Sequence, residues 1–161
     1  MKSLIIYSSQ SGNTQKLAQA VYDNIKGEKK ITAVEQASPN CEGYDLVGVG
    51  FWLQAGKPDP KTLKFLDDFN GSGKVFFFAT HGAAQDSDHA KNAMDHATGF
   101  LRDDQVAGTF SCQGEVNPKV LAKVRQKDTP PVWINDADDA VGHPDDGDIQ
   151  KLVVMVKAIG M

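Results

Sequence analysis

The chain has 161 residues, enough for one sizeable core, with 40% hydrophobic and 24% charged residues, an ordinary globular mix. Its net charge of −4 and its acid-rich second half argue against a nucleic-acid surface, which needs clustered positive charge. No apolar run nears the ~20 residues that span a bilayer, so no membrane role is expected.

The N-terminus lacks a basic flank followed by a long apolar segment, so no secretory signal is expected. Cys41 and Cys112 form no CxxC and no zinc-type spacing. The expectation is a cytoplasmic protein with two reduced thiols.

In chain order, Ser3–Tyr7 reads as a strand. Thr14 to about Lys26 reads as an amphipathic helix, with Leu17, Ala18, Val21 and Ile25 on one side. Lys30–Val34 is a weaker second strand and Asp45–Gly50 the third. Asp59-Pro60 looks like a helix cap with Pro at the first helical position, and Leu63, Leu66 and Phe69 give that helix an apolar face. Lys74–Ala79 is a fourth strand, apolar along its length as a doubly covered strand should be. A helix from about Asp88 to Leu101 carries Ala90, Met94, Ala97 and Leu101 on one side. Val106–Cys112 is the fifth strand, and a short helix lies near Pro118–Gln126. The last helix, Asp146–Ile159, has a stripe of Ile149, Leu152, Val153, Val156 and Ile159.

Alternating βα units predict an α/β parallel sheet with helices on both faces, in one domain spanning 1–161. Five strands with a polar, phosphate-type loop after the first suggest the doubly wound order 2-1-3-4-5. Asp128–Asp148 is the least regular stretch, with Pro130-Pro131, and reads as a surface excursion of that domain. Asp136, Asp138, Asp139, Asp145, Asp146 and Asp148 crowd it without a Lys or Arg after Ile134. Such a surface permits docking to a basic partner, and it also suits a solvated loop and an Asp-rich helix start.

The most informative residues follow the first strand: Ser8, Ser9, Gln10, Ser11, Gly12, Asn13 and Thr14. A polar loop between strand and helix aims backbone N–H groups and short hydroxyls at one spot, which suits a phosphate. The loop has no Lys or Arg, and neither GxxxxGK[ST] nor GxGxxG is present, so a nucleoside triphosphate or a dinucleotide does not fit. A monophosphate held by amides and hydroxyls does. Ser9-Gln10-Ser11-Gly12-Asn13-Thr14 resembles the phosphate loop of the flavodoxin family, [ST]-x-[ST]-G-N-T, at every defined position.

The resemblance implies a flavodoxin-like sheet, tight non-covalent FMN binding at Ser9, Gln10, Ser11, Gly12, Asn13 and Thr14, and electron exchange with redox partner proteins. It also assigns the loop after the third strand to the flavin ring. There Trp52 is the first choice for ring contact, beside Phe51, Leu53, Gln54, Ala55 and Gly56, although a Trp sealing the top of the core would read the same way. After the fourth strand, Thr80, His81, Gly82 and Ala83 occupy the place that meets the pyrimidine side. Many flavodoxins have a Tyr there. This chain has His81 instead, so the resemblance implies a flavin potential less negative than theirs and one that responds to His81 titration between about pH 6 and 8. An equally open reading makes His81 a loop histidine bonded to backbone.

His89 and His96, seven apart on one helix, read as a solvated face rather than a metal pair. His143 reads as part of the turn that opens the final helix. Three functional readings stay open: an electron carrier, an FMN-dependent oxidoreductase or redox subunit serving one enzyme, and a flavin-free regulatory module of the same fold.

Overall fold

The computed structural model describes residues 1–160. Its elements are β1 (Lys2–Tyr7), α1 (Asn13–Asn24), β2 (Glu28–Ala33), β3 (Leu46–Gln54), β4 (Lys57–Pro58), α2 (Pro60–Asp68), β5 (Lys74–His81), α3 (Asp88–Thr98), β6 (Val106–Gln113), α4 (Pro118–Arg125) and α5 (Asp146–Ile159). The sheet order is β2-β1-β3-β5-β6, all parallel, with the two-residue β4 antiparallel to β3. Counting β4 as the extra strand, this is the expected 2-1-3-4-5 order, in a six-stranded sheet.

Each face of the sheet has its own apolar layer. Leu4, Ile6, Val47, Val49, Phe51, Val75 and Phe77 meet Phe65 and Leu66 of α2 and Met94 and Ala97 of α3. Ile5, Leu46, Phe76, Phe78 and Phe110 meet Leu17 and Val21 of α1 and Leu152 and Val156 of α5. The two-residue period of the strands therefore sorts alternate side chains to opposite layers.

Two strands run further than their sequence pattern shows. β3 continues through Phe51-Trp52-Leu53-Gln54, expected as a loop, because this aromatic and apolar run folds back on Lys57-Pro58. Ala55 (φ 52°) and Gly56 (φ 73°) make the tight turn between them, and successive positive φ values match a two-residue hairpin to the strand twist. β5 likewise includes Thr80 and His81. Asp59 is the expected cap: its carboxylate accepts from Thr62 N at 3.1 Å and Thr62 Oγ1 at 2.9 Å. No helix among the described residues is long and apolar enough to cross a membrane.

Candidate functional site

The carboxyl ends of β1, β3 and β5 meet at one end of the sheet, where the strand order reverses and open α/β sheets bind ligands. The loop after β1 leads into α1 through Gly12, whose φ of 93° is left-handed and suits glycine. α1 has no side-chain cap at its N-terminus and no acid in its first turn. The other four α-helices are all capped by a side chain, namely Asp59, Ser87, Asn117 and Asp145. The first N–H groups of α1 are thus left without a side-chain acceptor beneath an exposed loop. A methyl group added at Gly12 would meet nothing within 4 Å. Open amide donors, the hydroxyls of Ser9 and Ser11, and a first helical turn without an acid fit a phosphate monoester.

Within the motif the residues divide the work. Gln10, Ser11 and Gly12 are exposed, and Ser9 Oγ accepts from Gly12 N at 3.1 Å. Thr14 is buried, and its hydroxyl shares a 2.9 Å hydrogen bond with that of Thr80. Asn13 Nδ2 donates to Glu115 O at 2.9 Å. Asn13 and Thr14 therefore tie the loop to the ends of β5 and β6. Ser8 Oγ adds a third tie, donating to the buried Asp59 at 2.8 Å.

The β3–β4 hairpin forms one side of this end. Trp52 and Leu53 are half-buried, while Gln54 and Ala55 are exposed. Phe51 is fully buried and meets Phe77 edge-on at 6.3 Å, so its side chain belongs to the core. Across from the hairpin, Thr80, His81 and Ala83 are buried, and half-buried Gly82 gives access mainly to backbone.

His81 does not behave as the resemblance implies. Its Nδ1 lies 3.2 Å from Ala83 O, and Gln113 Nε2 donates to the same carbonyl at 3.0 Å. A carbonyl can only accept, so Nδ1 carries the proton. Nε2 is enclosed and has no partner. Burial, the dominant cause, pushes the His81 pKa down from 6.5 to about 4, so the ring stays neutral across pH 6 to 8. The expected titration in that window is corrected accordingly: this histidine is bonded to backbone and holds its loop. His89 also departs from a solvated face. It is half-buried, and a methyl group at Gly56 would sit 3.5 Å from its Cε1, which places its ring against the hairpin turn. His96 packs edge-on against Phe100 at 5.6 Å.

The excursion after β6 reaches this same end, which its composition does not reveal. A methyl group at Gly82 would come within 2.5 Å of Val116 and 3.3 Å of the Trp133 ring. Glu115 N donates to His143 O at 2.8 Å, and Lys16 Nζ donates to Pro144 O at 2.6 Å. Residues 115–144 therefore form an arm beside both the phosphate loop and the loop after β5. Trp133, on a short 3-10 turn (Val132–Asp136), is the site-facing aromatic that sequence reasoning missed. Its sequence signal is a short apolar run, Val132-Trp133-Ile134, between Pro130-Pro131 and an Asp-rich stretch.

The acidic residues of the arm serve different ends. Asp145 Oδ1 accepts from Asp148 N at 2.9 Å, while Asp148 Oδ2 accepts from Asp145 N at 3.0 Å and lies 2.5 Å from His143 Nδ1. His143, Asp145 and Asp148 thus converge, but their oxygens already cap α5 rather than waiting for an ion. Asp138 pairs with Arg125 at 3.1 Å, and Asp139 and Asp146 are exposed. Cys41 and Cys112 are both buried free thiols, with desolvation raising the Cys41 pKa to about 11.

Comparison with known proteins agrees with this fold. A flavodoxin-like domain-containing protein BilS from Clostridioides difficile is 29% identical over 98% of this chain and 95% of its own length. A short-chain flavodoxin associated with a bacterial microcompartment superposes with a TM-score of 0.68 at 13% identity, covering 99% of this chain and 97% of the other. A flavoprotein from Lactobacillus acidophilus, solved in complex with FMN, gives a TM-score of 0.51 at 20% identity, covering 68% of this chain and 92% of the other. The model of the family described as "Flavodoxin domain" matches residues 4–157. On this match, over nearly the whole length, the chain belongs to the flavodoxin family.

Proposed function

We propose that this chain binds FMN non-covalently and carries electrons between redox partners in the cytoplasm. The observation that carries the reading is the N-terminus of α1, the one α-helix among the described residues without a side-chain cap, beneath Ser9, Gln10, Ser11 and Gly12. The family and the FMN in the Lactobacillus acidophilus neighbour support the same cofactor. The flavin supplies the redox chemistry. The chain's own residues hold the phosphate, place the ring between the β3–β4 hairpin and the loop after β5, and limit water around it.

Titration of the apoprotein with FMN and with riboflavin tests the phosphate assignment. Losing charge-assisted bonds to the phosphate costs about 3 kcal/mol, on the order of a hundredfold in affinity. Equal affinity for both ligands would reject the reading.

The partner in this reading is a basic protein, docked near the exposed Asp139 and Asp146 of the arm and α5. Asp145 and Asp148 are unsuitable probes because they cap α5. An Asp139→Asn/Asp146→Asn variant should transfer electrons more slowly to a small basic haem protein at low salt, and the difference should vanish as salt screens it. Equal rates at every ionic strength would remove docking from these residues.

A further inference from the structure

The sheet has two outer strands, and they are built differently. β2 carries Glu28, Lys29 and Lys30 among its six residues. β6, Val-Ala-Gly-Thr-Phe-Ser-Cys-Gln, has no charge and no proline. Charges, prolines and bulges are the usual devices that keep an edge strand from pairing with another chain; β6 has no charge and no proline, and its one bulge, at Ala107, lies at its start.

Two hydrogen bonds show which of its groups are free. Gly114 N donates to His81 O at 2.8 Å, on the β5 side. Alternate residues of a strand turn their N–H and C=O to opposite edges. Positions 108, 110 and 112 therefore face β5, while Thr109 and Ser111 face outward; before Gly108 the register slips by one residue at Ala107 and the alternation stops. In agreement, Ser111 O accepts from the side-chain amide of Gln85 at 2.9 Å, a contact that stands in for the N–H of a neighbouring strand.

Beside this edge lies a groove of about 640 Å³, walled by α3 and α5. Met94, Val154 and Met155 line it, and Val154 is 70% exposed. Lys91 and Asp95, one turn apart on α3, also border it. Among the described residues the ion pairs are made elsewhere, and neither Lys91 nor Asp95 has one.

We infer that β6 pairs antiparallel with β6 of a second copy, about a two-fold axis near Thr109, joining the two sheets. That axis stands perpendicular to the sheet, so α3 meets the α3 of its copy running the opposite way. Lys91 of each copy then faces Asp95 of the other, and the two Val154 side chains meet across α5. An isologous interface needs this self-complementarity.

Sedimentation of the full chain over a range of concentrations up to near-millimolar tests this. The expected result is a dimer. Lys91→Asp and Asp95→Lys should each weaken it by about tenfold or more through like-charge contacts, and the double variant Lys91→Asp/Asp95→Lys should restore it. Thr109→Pro, which removes one outward N–H, should give a monomer. All of these positions are at the surface or edge, and thermal unfolding verifies that each variant is folded. A native chain that stays monomeric overturns the inference and leaves the edge to an extended segment of another protein. A dimer indifferent to all four variants also overturns it. None of the substituted residues is one assigned to the phosphate loop or the hairpin, so the result stands apart from flavin binding.

Discussion

Two tryptophans reach the same end of the sheet by opposite routes. Trp52 stands on β3 inside the ladder, opposite Thr80 of β5, and its carbonyl accepts from Asp59 N at 2.9 Å. Its position follows from main-chain hydrogen bonds and the fully buried core beneath. Trp133 stands on a one-turn helix of the arm, against Gly82 and Val116, between Val132 at 83% exposure and Val141 at 61%. Few bonds fasten the arm to the rest of the chain, Asn13 to Glu115 O and Lys16 to Pro144 O, while Glu115 to His143, Gly142 to Glu115 and Arg125 to Asp138 hold it to itself. One wall of the site is part of the sheet, and the other is laid against it. The first should resist perturbation, and the second should open at low free-energy cost.

Between the two walls lies the loop after β5, and its anchor gives the largest expected effect. His81 is 4% exposed, and burial lowers its pKa from 6.5 to about 4. In the unfolded chain the group takes a proton near its ordinary value. Between those two pH values the unfolded state binds more protons, so stability rises with pH across that window. His81's contribution is complete above about pH 6.5 and is lost as pH falls towards 4, by about 3 kcal/mol. Urea unfolding at a series of pH values checks this on the native chain and on His81→Gln. The variant should flatten the acid limb, whatever its stability at neutral pH. An unchanged slope would show that His81 is not the group responsible, and the loop would lose its assigned anchor.

The contrast between the walls is also the contrast between what is legible in the sequence and what is not. Strand, loop and helix around Ser9–Thr14 follow from adjacent residues, and so does the Asp59-Pro60 start of α2. The parallel sheet follows from the alternation of elements, and its order from the place of the phosphate loop after the first strand. Phe51 was harder, because its burial depends on β3 continuing into a hairpin that a two-residue β4 makes possible. His81 was harder still. Whether a histidine titrates depends on desolvation by the tertiary packing around it, and here Gln113, from β6, also holds the Ala83 carbonyl to which the ring is bonded. The arm was illegible in detail, since Asp136–Asp148 has the same composition whether its carboxylates face solvent or cap α5. Only the tertiary arrangement separates Asp145 and Asp148, which hold the helix, from Asp139 and Asp146, which do not.

Removing the indole of the rigid wall should be felt mainly by the ligand. Trp52→Ala deletes a half-buried ring whose backbone stays paired in the sheet. The expected loss is about 1 kcal/mol in FMN affinity, the worth of an aromatic stack, with unfolding still cooperative. Fluorescence titration with FMN, beside a thermal melt, separates the two effects. Full FMN affinity with a large loss of thermal stability would make Trp52 a seal on the core and not a ring contact.

The smallest expected effect on binding belongs to the other indole, and its main signature is local. Trp133→Ala removes the ring that covers Gly82 and leaves Val116 as the nearest arm contact there. Neither β3 nor the start of α1 depends on that contact, so FMN affinity should fall by only about 0.5 kcal/mol. The arm, however, loses one of the few groups that hold it to the loop after β5. Hydrogen exchange should quicken at residues 82–87 and 128–142 and stay unchanged along β3, whose amides lie in the central ladder. Exchange that quickens equally in all three regions would mean the arm is as much a part of the cooperative core as the hairpin. Exchange unchanged in residues 82–87 would mean that Trp133 only rests against Gly82, and that the phosphate-side bonds of Glu115 and Pro144 carry the arm alone.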